Sequence, residues 1–169
     1  MNIQRSVISF GPQFRDFWAA ALAYQSSKGL QLWPAYPEKK INDELKSGLH
    51  FSAFMPDGTL AGFFSLSLGD AEIWEDKEKG DAIYIHRMCV NPTCKGNRLA
   101  AWVLTWAQGY AAGCGRKYVR MDTWGDNPWL INYYVACGFR EAGKRQMGLV
   151  RDLSPHYQNA CLALFENEV

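Results

Sequence analysis

Apolar positions come first in a short run, then at helical spacing, then in alternation, and each change of period marks an element. Ile3–Phe10 reads as a strand that Gly11-Pro12 breaks. Phe14, Phe17, Trp18, Ala21 and Leu22 then recur on one helical face. They predict a helix from Pro12 to about Ser26 with proline in its first turn. An aromatic loop follows at Gln31–Tyr36. Ile41 and Leu45 carry a second helix over Pro37–Ser47, closed by Gly48. His50–Met55 and Leu60–Leu68 flank Pro56-Asp57-Gly58, a hairpin signal. Gly69–Gly80 reads as a polar loop. The strand Ala82–Val90 then leads through the turn Asn91–Asn97 into a helix from about Arg98 to Ala112, striped by Leu99, Val103, Leu104, Trp106, Ala107 and Tyr110. Tyr118–Thr123 is a strand and Asn127–Cys137 a short helix. Phe139–Met147 and Ala160–Phe165 are the last strands, joined by a loop over Gly148–Asn159.

Strands joined through a helix lie parallel with a right-handed crossover, whereas hairpin strands run antiparallel. The pattern therefore predicts an α/β fold of mixed α+β character. Its core is a twisted mixed sheet of about seven strands with helices on both faces. With no repeat, low-complexity tract or linker, residues 1–169 read as one domain.

Composition narrows the chemistry. At 48% hydrophobic and 14% aromatic the chain can fill a core, and a net charge of +1 gives no electrostatic case for nucleic acid or a membrane surface. The five cysteines form no CxxC, and His50, His86 and His156 stand at no ligand spacing from them. No metal is therefore expected, and the scattered thiols fit a reducing compartment. No segment reaches the ~18 apolar residues of a membrane span. The expectation is a soluble, cytoplasmic protein, with exposed aromatics that permit a homodimer.

Two segments carry candidate chemistry. The first is the turn Lys95-Gly96-Asn97-Arg98-Leu99-Ala100, which feeds a helix N-terminus. Unpaired N–H groups at the positive end of the helix dipole can grip a pyrophosphate, and Lys95 and Arg98 add charge. The turn lacks the Gly-Lys-Ser/Thr of a Walker loop and is not GxGxxG. Taken alone, one glycine in a basic turn is a weak signal, and an ordinary loop and helix start explains it better. The second segment runs from Asn127 through Tyr134 to Gly138-Phe139. Asn127 and Tyr134 lie two helical turns apart, so one stripe presents an amide and a phenol. Here too a bland role stands beside it, Asn127 as an N-cap before Pro128 and Tyr134 as core.

In this order and separation, residues 82 to 139 resemble the acetyl-CoA-dependent N-acetyltransferase superfamily (the GNAT fold). Its signature turn is Arg or Gln, two residues, Gly, one residue, then Gly or Ala. Lys95 stands in for the first position and Ala100 fits the last, while Arg98 replaces the middle glycine. The stretch Ile85-His86-Arg87 and the loop Gln31-Leu32-Trp33 are similar to particular subgroups. The resemblance implies that the strand Ala82–Val90 splays from Tyr118–Thr123 at a bulge near Met88 to Val90. Met88, Cys89 and Val90 would then meet the pantetheine arm of acetyl-CoA. Lys95, Gly96, Asn97, Arg98, Leu99 and Ala100 would cradle its pyrophosphate, Asn127 would help hold the arm, and Tyr134 would stand near the leaving sulfur.

The implied reaction is direct attack of a primary amine, on a small molecule or a peptide, at the thioester. No cysteine nucleophile is needed, although Cys89 and Cys137 would lie near the acetyl donor. An alkyl amine of pKa about 10.4 must first lose a proton. His86 titrates in the useful range and shares a strand face with Tyr84. Asp122 and Glu72 are further candidate bases. Trp33 and Trp74, in loops, are candidates with Tyr84 for the substrate pocket, and the acidic stretch Asp70–Asp81 suits a cationic amine. Two other readings stand beside this one: a non-catalytic acyl-CoA-binding module, and a phosphate- or nucleotide-binding protein of another kind.

Overall fold

In the computed structural model, which describes residues 1–149 and 155–169, seven strands form along the chain. They are β1 (Asn2–Arg5), β2 (His50–Phe54), β3 (Leu60–Ser67), β4 (Ala82–Val90), β5 (Tyr118–Trp124), β6 (Glu141–Gln146) and β7 (Cys161–Glu168). The α-helices are α1 (Gly11–Ser27), α2 (Glu38–Ser47), α3 (Ala71–Trp74), α4 (Leu99–Gly113) and α5 (Pro128–Ala136). The strands make one mixed sheet in the order β1-β2-β3-β4-β5-β7-β6. By contacts the chain divides into two compact units, Met1–Ser65 with Arg87–Leu99, and Leu66–His86 with Ala100–Val169.

In the first unit β1, β2 and β3 are antiparallel, with Ile3 opposite Ala53 and Phe51 opposite Phe64. Phe14 and Trp18 of α1, Ile41 and Leu45 of α2, Tyr36, Phe63 of β3 and Cys89 of β4 form its core. Apolar burial of this kind stabilises by roughly 25 cal/mol per Å². Gly48 ends α2 in the left-handed conformation, as a C-terminal glycine does.

In the second unit β4 and β5 are parallel, with Ala82 opposite Tyr118 and Ile85 opposite Met121. β7 runs antiparallel to both β5 and β6. Ile83, Val103, Val119, Phe139, Leu162 and Phe165 are among its buried residues. The parallel ladder of β4 and β5 covers Ala82 to Ile85, and at Arg87 the chain takes a left-handed φ of 52°.

Three expectations are corrected. The strand at Ile3–Phe10 ends at Arg5, and Ile8–Phe10 form a 3-10 turn. There the Phe10 ring packs on Phe14 and Phe54, at 6.2 and 5.8 Å, and the chain enters α1 directly. Gly69–Gly80 is not simply a loop. It holds α3 and a 3-10 turn because Ile73 and Trp74 bury themselves, each 2% exposed. The strand expected from Phe139 starts at Glu141. Phe139 is buried, and the Arg140 N–H donates to the Asn167 side chain. Part of the loop expected over Gly148–Asn159, residues 150–154, lies outside the described residues. Among the described residues, no helix is long and apolar enough to cross a membrane.

Candidate active site

The turn before α4 belongs to the first unit. Lys95, Gly96, Asn97 and Arg98 are exposed, whereas Leu99 is buried and anchors the helix start. Gly96 has a φ of 88° and Arg98 a φ of 50°. The second value explains the glycine of the superfamily signature, because that position is left-handed and glycine alone adopts it without penalty. Here an arginine bears the strain. A methyl on Gly96 would meet nothing within 4 Å, so its backbone is open to a ligand. The first turn of α4, from Leu99, supplies N–H groups that a helix cannot satisfy internally. The Lys95 ammonium lies 4.5 Å from the Tyr24 ring, and the Asn97 amide donates to the Cys94 carbonyl. Arg98→Gly is expected to raise stability by about 0.5–1 kcal/mol, measured as a shift in denaturant midpoint.

The β4 stretch implied to meet pantetheine lies in the same unit. Met88 and Val90 are half-buried and Cys89 is buried. Burial pushes the Cys89 thiol up to about 12, so it is no nucleophile at neutral pH. Gly62 of β3 lies against this stretch. Its side is closed by the Cys89 carbonyl, the Val90 Cα and the Leu99 side chain. Trp33 stacks on Trp18 at 4.6 Å and is half-buried.

The titratable groups gather in the second unit. Along β5, Arg120, Asp122 and Trp124 alternate onto one face, and the pairing sets Arg120 opposite Tyr84 of β4. Tyr84 is fully buried. Its hydroxyl accepts from Arg120 Nη1 at 2.9 Å, and burial followed by its bond to Glu78 raises its pKa. Arg120 also pairs with Glu166 at 2.7 Å and stands 4.8 Å from the Trp74 ring. The positions of both candidates follow from this. Trp74, expected in an open loop, is a buried platform for Arg120. Tyr84, expected on the substrate side, has its phenol tied to Arg120.

His86 continues that face. Its Nε2 is 3.1 Å from Ser67 Oγ and 3.8 Å from Asp70 Oδ2. One ligand atom each from Asp70, His86 and Asp122 lies within 4.8 Å of the other two. The Asp70 side chain is only 8% exposed, and its Oδ2 has no hydrogen-bond partner among the described residues. Burial, then Asp122, Glu72 and Glu78, push its carboxyl up to about 7. Burial pushes Asp122 up to about 6, opposed by the Tyr157 hydroxyl at 3.4 Å. Beside Asp122 on β5, the buried Trp124 Nε1 also has no partner among the described residues. Its ring meets His156 edge-on at 5.8 Å.

Tyr134, on α5, packs against Phe139 and Phe165 at 5.5 and 5.7 Å. Burial, then Tyr133, Cys137 and Asp122, hold its phenol above its ordinary value. Asn127 caps α5, its Oδ1 accepting from the Leu130 N–H at 3.1 Å. Its expected cap is thus present, and its amide nitrogen is the part left to serve a ligand. The second unit so brings His86 and Asp122 together, and the Asp122 charge reaches Tyr134. It adds Asp70, which had stood out only as one acid of a charged stretch. Glu72 is exposed and influences Asp70 through its charge. The one available signal for Asp70 was Ile73-Trp74 just after it, an apolar pair that docks a short helix and draws the preceding acid inward.

Sequence comparison identifies the class to which this fold belongs. The acetyltransferase (GNAT) family matches residues 15–139. The chain belongs to that family. An uncharacterised N-acetyltransferase of Bacillus subtilis (strain 168), YesJ, is 29% identical over 112 residues, covering 64% of this chain and 62% of YesJ. The match thus spans less than two thirds of that relative. A GNAT-family acetyltransferase from Listeria monocytogenes superposes with a TM-score of 0.76 at 18% identity, covering 99% of this chain and 94% of its own. The yncA structure from Salmonella typhimurium, solved with its cofactor acetyl-CoA, gives a TM-score of 0.68 at 13% identity, covering 99% and 93%. At these identities the two structures speak for the fold.

Proposed function

We propose that the protein transfers an acetyl group from acetyl-CoA to a primary amine by direct attack on the thioester. The observation that carries this reading is the turn opening α4. There Gly96 and Arg98 are both left-handed and the Gly96 backbone is open, just ahead of a helix N-terminus whose free N–H groups suit an anionic diphosphate. Lys95, Gly96, Asn97, Arg98, Leu99 and Ala100 would hold the diphosphate. The backbone of Met88, Cys89 and Val90 would pair with the pantetheine arm, helped by Asn127. Acetyl-CoA supplies the activated acetyl group.

The amine arrives as an ammonium and loses one proton to His86. Its nitrogen lone pair then attacks the carbonyl carbon, the C–N bond forms, and the C–S bond breaks with its electron pair on sulfur. The second nitrogen proton passes to water as the amide forms, the thiolate takes a proton from Tyr134, and water returns a proton to the phenolate. A phenol whose pKa is raised stays protonated at neutral pH and can make that donation. Cys89, buried and raised, takes no covalent part.

Tyr134→Phe tests the assignment. Thiol release is expected to fall about 10²-fold in kcat. KM for acetyl-CoA should stay within about threefold, because the phenol acts after binding. Unchanged turnover with a confirmed amine product would remove Tyr134 from the chemistry.

A further inference from the structure

We propose that Asp70 and Asp122, together with His86, form a seat for the acceptor's ammonium group. This rests on the acetyltransferase reading and adds two residues to it, Asp70 and Asp122. The starting point is an unmet demand. Asp70 Oδ2 is buried without a hydrogen-bond partner among the described residues and sits 3.8 Å from His86 Nε2. A buried carboxylate oxygen left so is costly unless a donor arrives. With atoms of Asp70, His86 and Asp122 within 4.8 Å of one another, one small cation can meet all three.

The surroundings fit an organic cation. Trp124 and Tyr157 border Asp122, with rings 6.5 Å apart and His156 edge-on to Trp124. Aromatic faces beside a carboxylate are what an alkylammonium prefers over a hydrated inorganic ion. The neighbouring cation, Arg120, is already engaged by Glu166, Tyr84 and the Lys77 carbonyl.

The seat also completes the proton balance. An ammonium bound there gives one proton to the cluster and becomes the nucleophile. Ser67, bonded to His86 Nε2, and Asp70 stand on the same side of the imidazole. The proton then passes to solvent. Carboxylates raised toward neutrality can accept it and release it near pH 7.

Benzylamine, cationic at neutral pH, and aniline, neutral at the same pH, are the probes. In Asp70→Asn, kcat/KM for benzylamine is expected to fall about 10²-fold and that for aniline by less than about fivefold, with acetyl-CoA affinity unchanged. Asp122→Asn should show the same split. Benzylamine binding is measured separately by calorimetry, and Asp70→Asn should weaken it at least about tenfold. That readout stands even if the wild-type enzyme transfers acetyl to neither amine, an outcome that would count against the acetyltransferase reading. Equal losses for both amines, unaltered benzylamine binding, or stoichiometric Zn²⁺ binding that expels benzylamine would overturn the seat.

Discussion

Asp70→Asn is expected to stabilise the protein at pH 8 by on the order of 2–4 kcal/mol, roughly 5–15 °C in Tm. The Asp70 carboxyl, ordinarily at 3.8, is raised to about 7, chiefly by burial and then by Asp122, Glu72 and Glu78. A carboxyl raised on folding contributes stability in its protonated form. That contribution is complete below 3.8 and is lost as pH climbs to about 7. Above pH 7 the folded state carries a buried anion whose Oδ2 has no hydrogen-bond partner among the described residues. Asparagine fills the same volume without the charge. Asp122, raised to about 6, acts in the same direction, and His86 stands beside both. The check is chemical denaturation at pH 4, 6 and 8. Wild-type stability should decline over this range more steeply than that of Asp70→Asn, and the two should converge at pH 4. Parallel curves would show that Asp70 is not perturbed. Stability gained with activity lost is the pattern of a strained functional group.

Gly62→Ala is expected to destabilise by about 3 kcal/mol and to weaken acetyl-CoA binding at least about tenfold. The new Cβ would land on the Cys89 carbonyl oxygen, 2.6 Å from Leu99 Cδ2 and 3.2 Å from the Val90 Cα. Leu99 can rotate, but the strand backbone cannot yield without moving Cys89 and Val90. The Asn91 N–H donates to the Ala61 carbonyl at 2.8 Å, and the Asn91 side chain to Leu60, so β3 and the end of β4 are pinned together. A shift there displaces both the strand end assigned to pantetheine and the start of α4. Gly11→Ala is the control, since a methyl there meets nothing within 4 Å and its φ of −52° suits any residue. Urea denaturation and acetyl-CoA calorimetry on both variants decide it. Wild-type-like values for Gly62→Ala would mean the strands are not so constrained.

Much of this was legible from residue spacing. The turn signal Pro56-Asp57-Gly58 marked β2 and β3, and the strand, turn, helix, strand order marked β4 and β5. The helix-length crossover into Tyr118 required a parallel pair, and Ala82↔Tyr118 to Ile85↔Met121 is that pair. Asn127 read as a cap and is one. Other features depend on tertiary placement that no local pattern carries. Ile8 and Phe10 have the composition of a strand, yet Phe10 packs on Phe14 and the chain turns. Trp74 looked like a loop aromatic, but Arg120 stands over its ring. Asp70 is one of several acids between Gly69 and Asp81, and only the apolar pair Ile73-Trp74 just after it marks it as the acid drawn inside. The replacement at Arg98 was visible, whereas the left-handed backbone that makes it a strain was not.

The most direct test is mass spectrometry of the wild-type protein incubated with acetyl-CoA and a panel of primary alkylamines, run beside acetyl-CoA calorimetry. Saturable one-to-one binding, and an amine product heavier by one acetyl group with matching thiol release, is the predicted result. Binding with no acetylated amine across the panel, or no binding at all, would contradict it.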